Sequence, residues 1–567
     1  MTNKLAITTL FFLLSPFSFL LRAQTIPVGA PVLEDYYRVA QLLGKVDSSI
    51  SFTARPFFPV NALKIDNPFD PDSSLQKQRK SKFDGILRFD KNRGVIQILP
   101  VEWLVQYTTH HPFSMNDGAM IPARGFQTIA SAGIYAKYGP LSIQFWPEVV
   151  YAENKDFEGF PEEHPDAVWK AYYGIYNYID LPERFGNVPY QKVTWGQSSI
   201  RLTVGPASLG LSNENLWWGP GMRNSLMMSN TAPGFKHITL NTVKPLRTPI
   251  GSFEGQLIAG RLDSSGFYPP VLERNSIGAS YIRSKPNDWR YLNGIVLSYQ
   301  PRWVPGLFLG ATRVFQTYWG DMGNTLNDYL PVIIPMIKKQ LGEEEEDSKI
   351  RDQIASLFAR WVWQKAHAEI YFEYGREDHA WDLRDVFLQP EHSRAYILGF
   401  RKLIPLLNHL NEAIQIVLES TQLENTYKNG TRGQNPWYIH TQLRHGYTHQ
   451  GQLLGAGIGP GSNLQTLEVS WVKQLSVVGC RLERYVHNND FHYSVIKDIR
   501  ANWVDLIGTV FCNWDLQHFL LTARIDLMNC YNYQHLFVPK DPAATEFWTP
   551  GKTTFNLQAI VEVTYRF

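Results

Sequence analysis

The end of the chain alternates apolar and polar residues. Phe555, Leu557, Ala559, Val561, Val563, Tyr565 and Phe567 share one face. Asn556, Gln558, Glu562, Thr564 and Arg566 share the other, with Ile560 out of place. A period of two predicts a β-strand. Its length exceeds a usual soluble strand and suits a tilted strand crossing a bilayer. The pattern recurs. Phe519, Leu521, Ala523, Ile525 and Leu527 alternate with His518, Thr522, Arg524 and Asp526. Ala368, Ile370, Phe372 and Tyr374 alternate with His367, Glu369 and Glu373. Leu467, Val469 and Trp471 alternate with Thr466, Glu468 and Ser470. An apolar face for lipid and a charged face opposite it predict a barrel with a polar lumen.

Connections alternate in length. Short turns are predicted at 139–140, 205–206, 301–306, 364–367, 473–476 and 513–517. Long polar stretches fall between them, at 109–126, 153–193, 216–236, 263–289, 318–353, 377–392, 424–463, 488–499 and 531–553. Short periplasmic turns and long outer loops are the barrel asymmetry. The expectation is an all-β, transmembrane, antiparallel up-and-down barrel over 93–567, with about eighteen strands. An even count puts both barrel ends on the periplasmic side, and the segment 83–90 is kept outside the barrel to preserve it.

The first residues differ. Lys4, the apolar run Leu5 to Leu21 and the Leu21-Arg22-Ala23 site predict a signal peptide over 1–23. Val32, Tyr36, Val39, Leu42 and Leu43 then mark a helical stripe ending near Gly44. Residues 24–92 read as a small periplasmic helical segment and linker, the alternative being a loosely ordered leader.

Composition agrees. No later run is apolar for the roughly 20 residues of a membrane helix. The mean hydropathy of −0.24 is too polar for a helical membrane protein. Aromatics reach 14%, as at membrane interfaces or sugar-binding surfaces. A net charge of +2 gives no case for nucleic acid. Cys480, Cys512 and Cys530 have the spacing of neither a metal site nor a disulfide framework and read as apolar fillers. Glu343 to Glu346 read as a solvated charged face in an outer loop.

One motif is more specific. Trp217-Trp218-Gly219-Pro220-Gly221 follows Asn213 to Leu216 and precedes Met222-Arg223-Asn224-Ser225-Leu226. With Gly375 to Asp378 and His445 to Gln452 in the same order, it resembles the Wzi capsule assembly family. The terminal aromatic resembles the C-terminal signal of outer-membrane barrels. The family resemblance implies an eighteen-strand outer-membrane barrel with a periplasmic helical portion, acting as a lectin that holds capsular polysaccharide at the surface. It implies outer-membrane lipid and capsule export components as surroundings, and no cofactor.

Candidate contacts follow from sugar chemistry. Trp217 and Trp218 could stack on sugar rings, with Asn215 and Arg223 hydrogen-bonding or pairing with uronates; alternatively the motif folds a loop into the lumen. Gly219 and Gly221 allow close backbone approach. Asp378, Trp381, Asp382 and Arg384 form a polar loop, read as saccharide contacts or a salt-bridged loop. A metal reading of Asp378, His379 and Asp382 lacks a ligand spacing. Tyr447 and His449 complete the polysaccharide set. His445 and His449 lack the helix and the glutamate of a zinc protease motif. No catalytic motif stands out, so the expected role is non-catalytic. The rival is a diffusion channel or transporter for sugars.

Overall fold

In the computed structural model of the chain the alternation becomes geometry. The structure describes residues 24–65, 67–72, 75, 85–91, 93–269, 280–333, 351–377, 388–407, 411–426, 434–543 and 550–567. The predicted signal peptide 1–23, Glu343 to Glu346 and the 378–387 stretch lie outside them. One antiparallel sheet joins 24 strand segments. Its segments pair in succession, through pairs such as Gly251–Leu262 with Arg290–Pro301 and Asp352–Trp363 with Ala368–Glu377. The terminal strand, Thr553–Tyr565, pairs with its predecessor Phe519–Tyr531 and also with Val101–Thr108.

The two faces have the predicted chemistry. Ile370, Phe372, Leu467, Val469, Ile525, Leu527, Phe555 and Val561 are exposed on the outside, where lipid replaces water. Glu369, Glu373, Asp526, Asn556, Gln558 and Arg566 are buried on the inside. Ile560 obeys the period and points inward, buried at 6% exposure. Each of the six predicted short turns holds a residue of positive φ: Gly139, Gly205, Gly306, His367, Gln474 and Gln517.

The helical stripe is a helix, Pro31–Leu42, followed by Gly44 at φ +74°. It is not a free appendage. Val39 and Leu42 pack on Phe308, Val362, Leu403 and Val472, inner-face residues next to the short turns. Ile26, Leu33, Tyr37, Phe52 and Phe57 pack on Tyr135, Trp146, Leu475 and Leu520. His367 Nδ1 lies 3.0 Å from the Leu42 carbonyl, and Gln364 donates to the Gln41 carbonyl at 3.0 Å. The leader thus fills the short-turn end of the lumen. Ile86–Phe89, expected outside the barrel, instead joins the sheet and pairs with Gly94–Ile98. It continues the row that Tyr565 leaves, and Gly85 there lies against Phe567.

Candidate functional site

The motif loop turns inward. Trp217 and Trp218 pair as a short strand with Arg55 and Ala54 of the leader. Trp218 is fully buried; its Nε1 donates to Gln256 at 2.9 Å and its backbone N–H to the Met228 carbonyl at 3.1 Å. Trp217 lies beneath the Arg55 guanidinium, 4.5 Å from the ring centroid. Leu226, Met227 and Met228 fill the space inside Ile258, Val296, Val314, Ile354, Ile397, Leu464, Ile507 and Met528. Those residues come from strands spread between 251 and 531, so the loop makes a hydrophobic core in the long-loop half of the lumen. Burial of this kind is the main favourable term in folding.

The glycines serve this inward fold. Gly219 has φ +112°, and a Cβ there would lie 2.7 Å from Glu373 Oε2. After the turn, the backbone N–H groups of Met222, Arg223 and Asn224 donate to the Glu419 carboxylate at 2.8, 3.1 and 2.9 Å. Tyr371 Oη donates to the same carboxylate at 2.8 Å. A buried anion needs such donors to offset its lost hydration.

The sequence-predicted residues sort accordingly. Asn215 donates to Asn230 Oδ1 and the Ala232 carbonyl at 2.7 and 2.8 Å. Arg223 makes a two-pronged ion pair with Glu483 at 2.8 and 2.9 Å. Tyr447 is buried and stacked on Tyr438 at 5.7 Å. His449 Nδ1 accepts the Asp263 N–H at 3.1 Å. Burial holds both His445 and His449 down at about 3, so their imidazoles are neutral. Asn215, Trp217, Trp218, Arg223, Tyr447 and His449 therefore belong to one interior scaffold. Asp378, Trp381, Asp382 and Arg384 lie outside the described residues.

Between this loop and the leader is a cavity of about 420 Å³, lined by Glu34, Arg55, Trp217, Arg223, Glu468 and Arg524 among others. On the leader side, Arg38 pairs with Glu369 at 2.9 Å, Arg360 reaches the same carboxylate at 2.5 Å, and Arg401 pairs with Asp35 at 2.8 Å.

An aromatic step escaped the sequence reading. Trp289 and Trp319, at the ends of two long loops, stack at 4.5 Å and 20°. Arg261 sits 5.1 Å over Trp289 and pairs with Asp263 at 2.7 Å. Asp288 accepts the Gly320 N–H at 2.7 Å. Trp319 is 43% exposed. The available signal was a Trp beside an Asp in each loop, Asp288-Trp289 and Trp319-Gly320-Asp321.

The family model described as "Capsule assembly protein Wzi" matches residues 103–519. The chain belongs to the Wzi capsule assembly family. It is an outer-membrane protein. Among solved structures it is similar to Wzi of Escherichia coli, described as an outer membrane protein involved in group 1 capsule assembly and as a carbohydrate-binding β-barrel. The two are 12% identical with a TM-score of 0.57, over 96% of this chain and 100% of that one. Acinetobacter baumannii OccAB2 aligns at 12% identity and TM-score 0.39, over 82% and 98% of the two chains. Pseudomonas aeruginosa OpdK with vanillate aligns at 9% and 0.36, over 82% and 98%. No curated protein sequence matches.

Proposed function

We propose that the chain is a non-catalytic, eighteen-strand closed barrel whose outer loops bind capsular polysaccharide and help attach it to the cell. Signal peptide 1–23 is removed, 24–92 serves the periplasmic end, and 93–567 spans the outer membrane. Family membership supports the role in capsule assembly. Pairing of the terminal strand with Val101–Thr108 supports closure.

The observation that carries the choice between lectin and channel is the double filling of the lumen. The loop core occupies the outer half and the leader the other. A diffusion channel needs a continuous water path. With the lumen occupied at both ends, glycan contact falls to the outer loops. Stacked Trp289 and Trp319 offer an apolar face for a sugar ring, and Arg261 and Asp288 offer hydrogen bonds. Asp378, Trp381, Asp382 and Arg384 join this set on sequence grounds. Asn215, Trp217, Trp218, Arg223, Tyr447 and His449 support the loops from beneath.

The test is capsule retention in a deletion strain complemented with variants. Trp289→Ala with Trp319→Ala should give a folded, heat-modifiable barrel, a bilayer conductance as low as wild type and capsule shed to the medium. Capsule kept on the cells of the uncomplemented deletion strain refutes the attachment role. Steady wild-type conductance favours the channel.

A further inference from the structure

Three buried side chains from distant parts of the sequence converge at the loop end of the barrel wall. Asp505 and Cys530 lie directly opposite each other on the adjacent strands Val504–Leu516 and Phe519–Tyr531. His111 enters from the first long loop. It is held there by Asn556, which donates to the His111 carbonyl at 2.9 Å and accepts the His110 N–H at 2.8 Å. Cys530 Sγ is 3.8 Å from His111 Nε2. One ligand atom from each of His111, Asp505 and Cys530 lies within 4.8 Å of the others. All three residues are less than one-tenth exposed.

We infer that His111, Asp505 and Cys530 form a binding site for a divalent transition metal, with Zn²⁺ the ion their donors suit best. Thiolate, imidazole and carboxylate are the three zinc ligand types, and ligand atoms around one zinc sit about 3–4 Å apart. The borderline-soft set argues against Mg²⁺ and Ca²⁺, which take oxygen ligands.

The surroundings match what a metal ligand needs. Asp505 Oδ1 accepts the Trp503 Nε1–H at 3.0 Å, and Oδ2 lies 2.7 Å from His487 Nε2. Besides these two partners the carboxylate accepts a hydrogen bond from the Cys530 thiol, and that lone pair is the one an ion would take when the thiol proton leaves. Orientation of a ligating carboxylate by outer hydrogen bonds is typical of metal sites. His487 is stacked on Trp503 at 3.8 Å, which fixes it. Among the described residues, no Lys or Arg bridges to Asp505. Metal binding would displace the Cys530 thiol proton to solvent, and the thiolate and carboxylate would then balance the charge of a divalent ion. Water would take the fourth position. The ion would tie the first outer loop to two strands of the wall.

The experiment uses the full chain, folded in detergent, stripped with chelator and titrated with Zn²⁺ or Co²⁺. Wild type should bind one equivalent, and Co²⁺ should give a near-ultraviolet thiolate-to-metal charge-transfer band. Cys530→Ser should abolish the band, while Cys480→Ser and Cys512→Ser keep it. His111→Ala, a loop change that keeps the thiol, should weaken binding at least about tenfold; it carries the test if Cys530→Ser does not fold. Folded wild type that takes up neither ion overturns the site. So does a band that survives in Cys530→Ser, or an affinity unchanged in His111→Ala.

Discussion

The motif loop, 216–236, and the leader, 24–72, fill the same lumen by different physics. The loop holds its place with an apolar core and with backbone N–H groups on wall carboxylates. The leader adds ion pairs with the wall to its apolar contacts: Arg38 on Glu369 and Arg401 on Asp35. Apolar packing is lost only when the core opens. A buried ion pair adds little net stability when intact, but removing one partner is costly. The loop therefore behaves as part of the barrel fold, whereas the leader adds to its apolar contacts a few groups whose charge can be changed.

Trp218→Ala should have the largest effect. A buried Trp cut to Ala costs about 3–5 kcal/mol, so the urea midpoint of the whole barrel should fall sharply. An unchanged midpoint would mean the loop is not part of the core. Glu369→Gln comes next. It leaves Arg38 and Arg360 without their shared carboxylate, a loss of about 3 kcal/mol, felt mainly at the leader. Protease should cut the leader while the barrel midpoint changes less.

The third effect depends on pH. Burial pushes the Glu34 carboxyl up to about 7 from 4.5, against the pull of Arg55. The docked leader then keeps a proton that the released one gives up. Docking is firmest below pH 4.5 and weakens as pH rises toward 7, by up to about 3 kcal/mol. Glu34→Gln should flatten this dependence in the protease assay. Smallest is Arg247→Ala, which removes a 74% exposed partner of Asp47. An exposed pair is worth about 0–1 kcal/mol, so leader cleavage should hardly change.

Period and turn chemistry made the wall legible. Each strand faces both lipid and lumen, and each short turn needs a special backbone angle, so both leave local marks. The destination of the loops was not legible in the same way. Trp217 and Trp218 read equally well as a sugar platform or a plug, because what meets them comes from far along the chain. A mark did exist. Gly294 and Gly375 interrupt inward-facing rows, and a Cβ on either would strike an indole, Trp218 at 2.9 Å or Trp437 at 2.5 Å. A strand glycine on the lumen side signals that a bulky group packs there. The aromatic step and the His111, Asp505, Cys530 cluster escaped for the same reason. Their members are separated by tens to hundreds of residues, and no spacing rule reaches across a sheet.

The pairing of Val101–Thr108 with the terminal strand has a consequence for the order of assembly. It joins residues 450 to 464 apart in sequence. Loop-closure entropy makes contacts of such separation late events. The leader's wall partners, Glu369, Arg360 and Arg401, lie on three consecutive strands that can pair much earlier. The leader can therefore dock onto an open, curved sheet before the two ends meet. In a closed ring it is enclosed as the wall assembles, a template the barrel closes around, and need not be threaded into a finished pore.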